Sequence, residues 1–405
     1  MPNFTTTTKS FLTQSMTHST VGIIGAGAMG SGIAQVAAQA GWNVVLMDQS
    51  SDVLTHSSAS LAKVCNRLVE KDRITADESV ALQSRIERTT EIQKLSSCIL
   101  VIEAIVENVT VKQKVFASLE NVVSDGCLIA TNTSSLSVTG LASSLQHPER
   151  FLGLHFFNPA PLMQLVEVIP AMQTDLSNIP RCIDWMSQWG KTPVQAKDTP
   201  GFIVNRLARP FYGEALRIVE EELATTSEVD AAMKAIGFRM GPFELMDLIG
   251  NDINYAVTVS VFEAFYFDPR YRPSLIQKQH VEAGWLGRKS GRGYYRYDGA
   301  PVASSGPNAI KDPEWIQHRI VSMLINEAVD ALSLRIATAL DLELAMTRGV
   351  NYPKGLLAWA NEWGVETVLE HLQSLQERYG EDRYRPAPLL RDMASNNQSF
   401  DLEQE

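Results

Sequence analysis

The stretch Thr20-Val21-Gly22-Ile23-Ile24-Gly25-Ala26-Gly27-Ala28-Met29-Gly30 decides the fold of this chain. An apolar strand pattern runs into a glycine motif, and a helix of small residues follows it as far as Ala40. Gly25 permits a tight turn, Gly27 lets the backbone approach a pyrophosphate, and Gly30 lets strand and helix pack closely. The free N–H groups at the helix start then face the phosphates. The motif assigns dinucleotide binding to Gly25, Gly27, Ala28, Met29 and Gly30. A glycine turn without a ligand is the alternative.

The second predicted strand, residues 43–47, ends in Asp48. Asp48 follows the glycine motif at the spacing expected of the residue that binds the adenosine ribose hydroxyls. The chain continues with Gln49, Ser50 and Ser51 and offers no arginine for a 2′-phosphate. Because a carboxylate repels that phosphate, the sequence favours NAD over NADP as the cofactor.

Two further buried strands are predicted at residues 97–105 and 127–133, and a last one at 192–197. This order of strands and helices is typical of an α/β, doubly wound, Rossmann-like domain. Ligands bind at the carboxyl ends of parallel strands. The polar residues predicted to line that edge are Glu103, Glu107, Asn132 and Ser134. A helix from about residue 111 carries Lys112 near its start.

A histidine and a glutamate occupy two neighbouring apolar runs, residues 151–157 and 163–169. The turn-forming residues 158–161 separate the runs, so they are able to pair as a hairpin that brings His155 and Glu167 together. A carboxylate is costly to bury unless something pairs with it. Held against an imidazole, it favours the imidazolium and fixes the ring, as a proton-abstracting histidine requires. The alternative is a buried histidine satisfied by its neighbours.

A basic stripe lies on the helix predicted from residue 53 to residue 71. Lys63, Arg67 and Lys71 fall four residues apart and therefore share one helix face. In an acidic protein this stripe is able to bind a phosphorylated handle such as that of coenzyme A. A solvated helix face is the other interpretation.

The second half of the chain is predicted to be helical, with long helices at residues 202–223, 226–236 and 242–264. Asn205 opens the first of them, as a cap or a residue facing the cleft between domains. A repeat follows, in which Arg206, Glu214 and the segment 270–273 recur 113 residues later as Arg319, Glu327 and the segment 383–386. His318 stands where the repeat would place Asn205, so we expect the second copy to be structural. The helical unit is thus duplicated.

The predicted architecture is a Rossmann-like NAD-binding domain followed by two tandem all-α helical units. Its segments are a disordered leader (1–19), the NAD-binding domain (20–197), the first helical domain (198–298), a linker (299–311), the second helical domain (312–395) and a flexible tail (396–405). The leader is free of acids and faintly resembles a transit peptide, although it has no arginine.

Composition excludes several classes of protein. The net charge is −11 and the pI about 5.2, which argues against a nucleic-acid binder and against an anionic membrane surface. No apolar run approaches the length of a membrane span. The cysteines at positions 65, 98, 127 and 182 form no metal-like or redox pair, so we expect no metal site and a cytoplasmic protein with reduced thiols.

Taken together, these motifs resemble the L-3-hydroxyacyl-CoA dehydrogenase family. The matching blocks are residues 25–30, 104–108, 131–136, 154–159, 165–168, 197–206, 240–245 and 287–291. The form with a second helical unit is similar to longer bacterial members that act on 3-hydroxybutyryl-CoA or 3-hydroxyadipyl-CoA.

The resemblance implies a role for individual residues. His155 matches the catalytic base that takes the proton of the 3-hydroxyl, and Glu167 matches its partner. Ser134 and Asn205 match residues that hydrogen-bond the substrate oxygen and thioester region. The positions that match dinucleotide contacts are Asp48, Glu107, Lys112 and Lys289. The coenzyme A contacts fall on the helix that carries Lys63 and Arg67.

The main hypothesis is therefore an NAD-dependent dehydrogenase of 3-hydroxyacyl-CoA thioesters. A small hydroxyacid dehydrogenase would place a catalytic lysine in residues 201–206, which contain none. A binding or structural protein without turnover, like the lens crystallins of this family, is the third hypothesis. The duplicated unit is expected to act as an internal partner, which leaves further oligomerisation open.

Overall fold

The computed structural model describes residues 19–298 and 312–403. Most of the expected leader, residues 1–18, and the expected linker at 299–311 lie outside the described residues.

An eight-stranded sheet forms the first part of the structure, in the order β3-β2-β1-β4-β5-β6-β7-β8. Its strands are β1 (Thr20–Ile24), β2 (Asn43–Met47), β3 (Ile86–Thr89), β4 (Leu100–Glu103), β5 (Leu128–Thr131), β6 (Phe151–Phe156), β7 (Leu165–Pro170) and β8 (Thr192–Gln195). Neighbours from β3 to β6 are parallel, β7 is antiparallel to β6, and β8 is parallel to β7. The α/β fold and the hairpin predicted from the sequence are confirmed.

Six helices accompany the sheet: α1 (Ala28–Gln39), α2 (Ser51–Glu70), α3 (Ala76–Ser84), α4 (Val109–Glu120), α5 (Val138–Ala142) and α6 (Ile179–Gln188). Two apolar clusters hold this part together. One contains β-strand residues such as Ile23 and Leu46 together with Ile33 of α1, and the other contains Val101 and Ile129 together with Phe116 of α4. The second cluster continues without a break into the helical part of the chain.

The first helical unit comprises α7 (Val204–Leu207), α8 (Arg209–Glu220), α9 (Thr226–Ala235), α10 (Pro242–Ile249), α11 (Asn251–Ala264) and α12 (Leu275–Glu282). Two of its predicted helices were too long. The helix expected at 202–223 is interrupted at Ala208, where Pro210 has no N–H to donate to the preceding turn. The helix expected at 242–264 is interrupted at Gly250, whose φ of +104° is open to glycine but strained for other residues.

The second helical unit comprises α13 (Pro313–Ser333), α14 (Ala339–Leu344), a π-helical turn (Ala345–Gly349), α15 (Leu356–Trp363), α16 (Val365–Tyr379) and α17 (Pro388–Ser395). Its long helix α13 packs against α8 of the first unit. The two units therefore meet along the helices that the sequence repeat relates.

Buried ion pairs cross this contact in both directions. Arg206 Nε donates to Glu327 Oε1 at 2.5 Å, and Arg319 Nε donates to Glu214 Oε2 at 2.9 Å. The repeated segments 270–273 and 383–386 make similar contacts between the units. Arg270 and Tyr271 donate hydrogen bonds to Glu327, and Arg383 and Tyr384 donate hydrogen bonds to Glu214. Residues that the sequence relates by 113 positions thus exchange equivalent partners. The two units form the internal pair that the repeat predicted.

A carboxylate that accepts N–H groups at the start of a helix is a further feature that the copies share. Asp230 accepts the N–H groups of Phe243 and Glu244 in α10, and Glu343 accepts the N–H of Leu357 in α15. Burial raises the pKa of Asp230 to about 6, although hydrogen bonds oppose the shift. The second unit has therefore kept the carboxylate that binds the start of a helix. It has no counterpart of the glutamate that stands at position 244 in α10 of the first unit.

The tail expected to be flexible from residue 396 contains a packed segment. Phe400 is buried, its N–H donates to Asn361 Oδ1 at 2.8 Å, and its carbonyl accepts from Asn361 Nδ2 at 2.9 Å. An aromatic side chain that finds an apolar site holds the backbone around it. Within residues 19–298 and 312–403, no helix combines the length and apolar character needed to cross a membrane.

Candidate active site

The antiparallel hairpin of β6 and β7 sets His155 directly opposite Glu167. His155 Nδ1 lies 2.6 Å from Glu167 Oε2, and both side chains are buried. Directly opposed residues of a two-strand ladder have their side chains on one face, so the register alone brings these groups into contact. The hydrogen-bonded pair expected from the sequence is present.

The second oxygen of Glu167 anchors the junction between the sheet and the helices. Glu167 Oε1 accepts the N–H groups of Ile203 and Val204 at 3.0 and 2.9 Å. Gly201, with a φ of +74°, turns the chain so that these N–H groups point at β7. The same carboxylate therefore orients the imidazole and holds the start of the helical unit. Apart from the glycine at the junction, no sequence pattern indicated this contact.

The imidazole of His155 is fixed on its other sides by aromatic rings. Its centroid lies 4.4 Å from that of Phe157 and 5.9 Å from that of Phe202. Among the described residues Nδ1 makes the only hydrogen bond of the ring, so Nε2 is left for a ligand. A ring held in one orientation with one nitrogen unoccupied is the arrangement of a general base.

Ser134 and Asn205 meet across the same cleft. Asn205 Nδ2 donates to the carbonyl of Ser134 at 3.3 Å, which joins the end of β5 to the start of α7. Both residues are half-buried. Within the described ranges the Ser134 hydroxyl and Asn205 Oδ1 have no protein partner. Two polar groups on opposite walls are thus available to a bound substrate.

Lys112 lies in a buried network behind this cleft. Its ammonium is 2.6 Å from Glu103 and 3.1 Å from Glu107, and it is almost completely buried. Glu107 also accepts from the Thr133 hydroxyl and from the N–H of Ser134. Burial alone would raise the pKa of Glu107, but the charge of Lys112 and these hydrogen bonds lower it. The network thereby fixes the loop that carries Ser134.

Asn132 links two neighbouring strands at the same edge of the sheet. Its Oδ1 accepts the N–H of Phe156 at 2.8 Å, next to His155. The contact uses the acceptor of the amide and leaves its Nδ2 donors free to reach the cleft. Asn132 therefore supports the strand that carries His155, in addition to lining the edge of the sheet where the sequence predicts a bound cofactor.

The glycine loop has the geometry that a pyrophosphate requires. Gly25 has a φ of +99°, and a Cβ on Gly30 would lie 1.8 Å from the carbonyl oxygen of Gly25. Around Gly27, by contrast, nothing lies within 4 Å of the position that a Cβ would take, and α1 begins there without a side-chain cap. Asp48 accepts the N–H of Ala26 at 2.8 Å, which holds its carboxylate against the loop. The residues present fit a dinucleotide.

Three of the predicted ligand contacts lie elsewhere. Lys63 and Arg67 are exposed on α2, and Lys289 belongs to the first helical unit, where its ammonium lies 2.6 Å from Asp252. The structure does not bring these side chains to the histidine–glutamate pair. Their predicted roles concern the outer parts of the two ligands and stay predictions.

Lys191 is a residue of this region that the sequence did not indicate. Its ammonium donates to the carbonyls of Ala160 and Met163 at 2.5 and 2.9 Å, and so holds the turn that follows His155. Burial lowers the pKa of Lys191 to about 8. A lysine one residue before a strand carries no pattern that would have distinguished it from a surface residue.

The protein combines two features: a nucleotide-binding loop at one end of a parallel sheet, and a histidine–glutamate pair on the antiparallel strands that extend this sheet. These features define the class of NAD-binding oxidoreductases. Comparison with known families narrows the class. The 3-hydroxyacyl-CoA dehydrogenase NAD binding domain matches residues 20–199, and the C-terminal domain of the same enzymes matches residues 201–297 and 315–401. The chain belongs to the 3-hydroxyacyl-CoA dehydrogenase family.

Individual relatives fall into a longer and a shorter group. The 3-hydroxyadipyl-CoA dehydrogenase of Escherichia coli K12 is 37% identical over 93% of this chain and 97% of its own. A probable 3-hydroxybutyryl-CoA dehydrogenase of Deinococcus radiodurans is 42% identical over 68% of this chain and 99% of its own. Among solved structures, a 3-hydroxybutyryl-CoA dehydrogenase of E. coli K12 has a TM-score of 0.88 at 36% identity, covering 94% of this chain and 98% of that one.

Proposed function

We propose that this protein oxidises the 3-hydroxyl of an (S)-3-hydroxyacyl-CoA to the 3-keto group with NAD, or runs the reverse reaction. The proposed substrates are short-chain or dicarboxylic thioesters, such as 3-hydroxybutyryl-CoA or 3-hydroxyadipyl-CoA. The observation that carries the proposal is the buried contact between His155 Nδ1 and Glu167, with Nε2 left for the substrate. Relatives of full length bear both substrate names, so the acyl group has to be argued from this chain's own residues.

In this reaction His155 Nε2 accepts the proton of the 3-hydroxyl. Glu167 stabilises the imidazolium that results, because its carboxylate lies 2.6 Å from the protonated ring and is itself held by two backbone N–H groups. Ser134 and Asn205 hold the substrate oxygen and the thioester region from the two walls of the cleft. When bound, NAD supplies the acceptor for the hydride that leaves C3.

The cofactor contacts proposed here follow from the shape of the loop. Gly27 leaves the space that a pyrophosphate needs, and Ala28, Met29 and Gly30 present N–H groups at the start of α1. A carboxylate has about four acceptor sites, and each oxygen of Asp48 uses one of them for a backbone N–H. The remaining sites are available to the ribose hydroxyls.

Coenzyme A is proposed to lie along α2, with its phosphates near Lys63 and Arg67. Both side chains are exposed and carry no carboxylate partner among the described residues. The four cysteines are free and buried, in keeping with the cytoplasmic location that we propose.

A His155→Gln variant tests the proposal. Glutamine is able to keep a hydrogen bond to Glu167 but is a far weaker base, so we expect the variant to fold, to bind NADH and to lose at least about 100-fold in kcat. NAD reduction would be followed over a panel of 3-hydroxyacyl-CoA chain lengths that includes a dicarboxylic one. His147→Gln is the control, because His147 is an exposed histidine beside Glu149 at the surface.

Two outcomes would contradict the assignment. A His155→Gln variant with near-normal kcat would remove the histidine from the mechanism. A wild-type protein that binds NAD but turns over none of the thioesters, nor a small 2-hydroxy acid, would favour the structural protein considered from the sequence.

A further inference from the structure

Arg209, at the start of α8, is a buried guanidinium that has no counter-ion among the described residues. Only 7% of the residue is exposed. Within the described ranges its one hydrogen bond runs from Nη1 to the hydroxyl of Thr258 at 3.1 Å, while Nε is buried without an acceptor. The other arginines buried between the helical units each pair with a glutamate; they are Arg206, Arg270, Arg319 and Arg383. Arg209 is therefore an exception that the packing of the units does not explain.

A lone buried cation is unfavourable for folding. Burial lowers the pKa of Arg209, and the nearby phenols of Tyr212 and Tyr352 only partly oppose the shift. The ring of Tyr212, 5.0 Å away, offers a cation–π contact, which is weak compared with the loss of hydration. An apolar side chain would cost less in this position. The charge is explained if a negatively charged group binds to it.

The groups around Arg209 are suited to an anion. The guanidinium has five N–H donors, of which one is used within the protein. The hydroxyl of Tyr352, from the second helical unit, is buried and has no hydrogen-bond partner in the part of the chain that the structure describes. Among the described residues no carboxylate pairs with either group, and a planar carboxylate matches the guanidinium fork.

Arg209 is also close in the chain to Asn205, which belongs to the proposed reaction centre. It follows Asn205 by four residues across the break at Ala208, whose backbone stays in the right-handed helical region, so the two positions are about one helical turn, roughly 6 Å, apart along the chain. Side chains tend to lean toward the N-terminus of their helix, which is the direction of Asn205 from Arg209. In a six-carbon diacid, three C–C bonds of about 1.5 Å carry the distal carboxyl carbon about 4 Å from C3. An arginine one turn beyond Asn205 is thus within reach of that carboxylate.

We propose that Arg209 binds the carboxylate at the far end of a dicarboxylic acyl chain and makes the enzyme selective for 3-hydroxyadipyl-CoA. The Tyr352 hydroxyl is the second donor, so the second helical unit contributes to the substrate site of the first. This inference rests on the proposed dehydrogenase function and deepens it by assigning the acyl group.

The test compares two thioesters of equal length, 3-hydroxyadipyl-CoA and 3-hydroxyhexanoyl-CoA, which differ by a carboxylate in place of a methyl group. The measured quantity is the ratio of their kcat/KM values. In the wild type we expect the ratio to favour the diacid by at least about 100-fold, and Arg209→Gln to reduce it to about 1. Tyr352→Phe should lower it several-fold. Arg217→Gln on the same helix, where the guanidinium pairs with Glu381, is the matched control and should leave the ratio unchanged.

A modified substrate tests the same contact in the wild-type protein, so this experiment does not depend on how well the variants fold. Conversion of the distal carboxylate to its methyl ester should lower kcat/KM by the same factor as the loss of Arg209. A wild-type ratio near 1, or a ratio that Arg209→Gln does not change, would overturn the inference while turnover of either thioester still supports the dehydrogenase. Absence of turnover with both, and with 3-hydroxybutyryl-CoA, would instead refute the proposed function.

Discussion

Replacing Glu167 by glutamine isolates what its charge contributes to the reaction. The amide oxygen is still able to accept the N–H groups of Ile203 and Val204, so the junction between the sheet and α7 keeps its hydrogen bonds. The amide NH2 then faces His155 Nδ1, which must lose its proton to accept the bond. The ring carries that proton on Nε2 instead, where the substrate hydroxyl needs an acceptor.

The magnitude follows from the geometry of the pair. With the atoms 2.6 Å apart and the charges centred about 4 Å apart, an effective dielectric constant of about 20 gives an attraction of about 4 kcal/mol for the imidazolium. At about 1.4 kcal/mol per factor of ten, this loss lowers kcat about 1000-fold. The wrong tautomer acts in the same direction and has cost about 10000-fold in serine proteases. We expect kcat to fall by about 1000- to 10000-fold.

The assay is steady-state NADH formation at saturating thioester, together with NADH binding by fluorescence titration and the thermal midpoint of unfolding. Binding and midpoint should stay close to the wild type, because the backbone hydrogen bonds remain. Glu149→Gln is the matched control, since Glu149 pairs with His147 at the exposed surface. A Glu167→Gln variant whose kcat lies within about tenfold of the wild type, with the cofactor still bound, would refute the reasoning.

Three further predictions concern the cofactor loop and the helical pair. Asp48→Ala removes two acceptors of the ribose hydroxyls, at about 1 kcal/mol each, so KM for NAD should rise at least about 10-fold. The preference for NAD over NADP should also shrink. An unchanged cofactor preference would contradict the ribose role of Asp48. Gly30→Ala should prevent folding of the loop, because its Cβ meets the Gly25 carbonyl, whereas Gly27→Ala should keep the thermal midpoint and lose NAD affinity in calorimetry. Glu327→Gln leaves buried guanidinium groups without their carboxylate and should lower the free energy of unfolding at pH 7 by about 3 kcal/mol, measured in urea. Burial acts to raise the pKa of Glu327, but its arginine partners lower that pKa below 4.5. The stabilisation that the ionised Glu327 gives the wild type should therefore be lost only as the pH falls below about 4.5.

Local patterns predicted much of the fold and the centre of the site. The glycine motif fixed the first strand, turn and helix because three steric demands coincide within six residues. Two apolar runs around a Pro-rich turn predicted the hairpin, and the hairpin register then brought His155 and Glu167 together. The repeat predicted that two helical units would pair, since related residues were found at one constant separation.

Contacts between distant segments could not be predicted from such local patterns. Nothing in the sequence around Lys112 indicates that its ammonium lies between two glutamates, because that depends on how α4 packs against the sheet. The exchange of partners between Arg206 and Glu327 likewise depends on the pairing of α8 with α13. Arg209 could be distinguished from its neighbours only once every carboxylate near it had been placed. Breaks at Ala208 and Gly250 were missed because one proline or glycine does not reveal whether a helix kinks or ends.

Because the two helical units are fused in one chain, a mutation is able to alter one unit without altering the other. In a symmetric homodimer each substitution appears on both sides of the interface, so a residue cannot be altered in one copy alone. Here Asn205 and His318 occupy repeat-related positions and have diverged, while the buried arginine–glutamate pairs that join the units have been kept. Tethering also makes the pairing independent of protein concentration, since both partners belong to one chain. The two copies are thereby free to diverge, so that one is able to lose side chains that the other keeps.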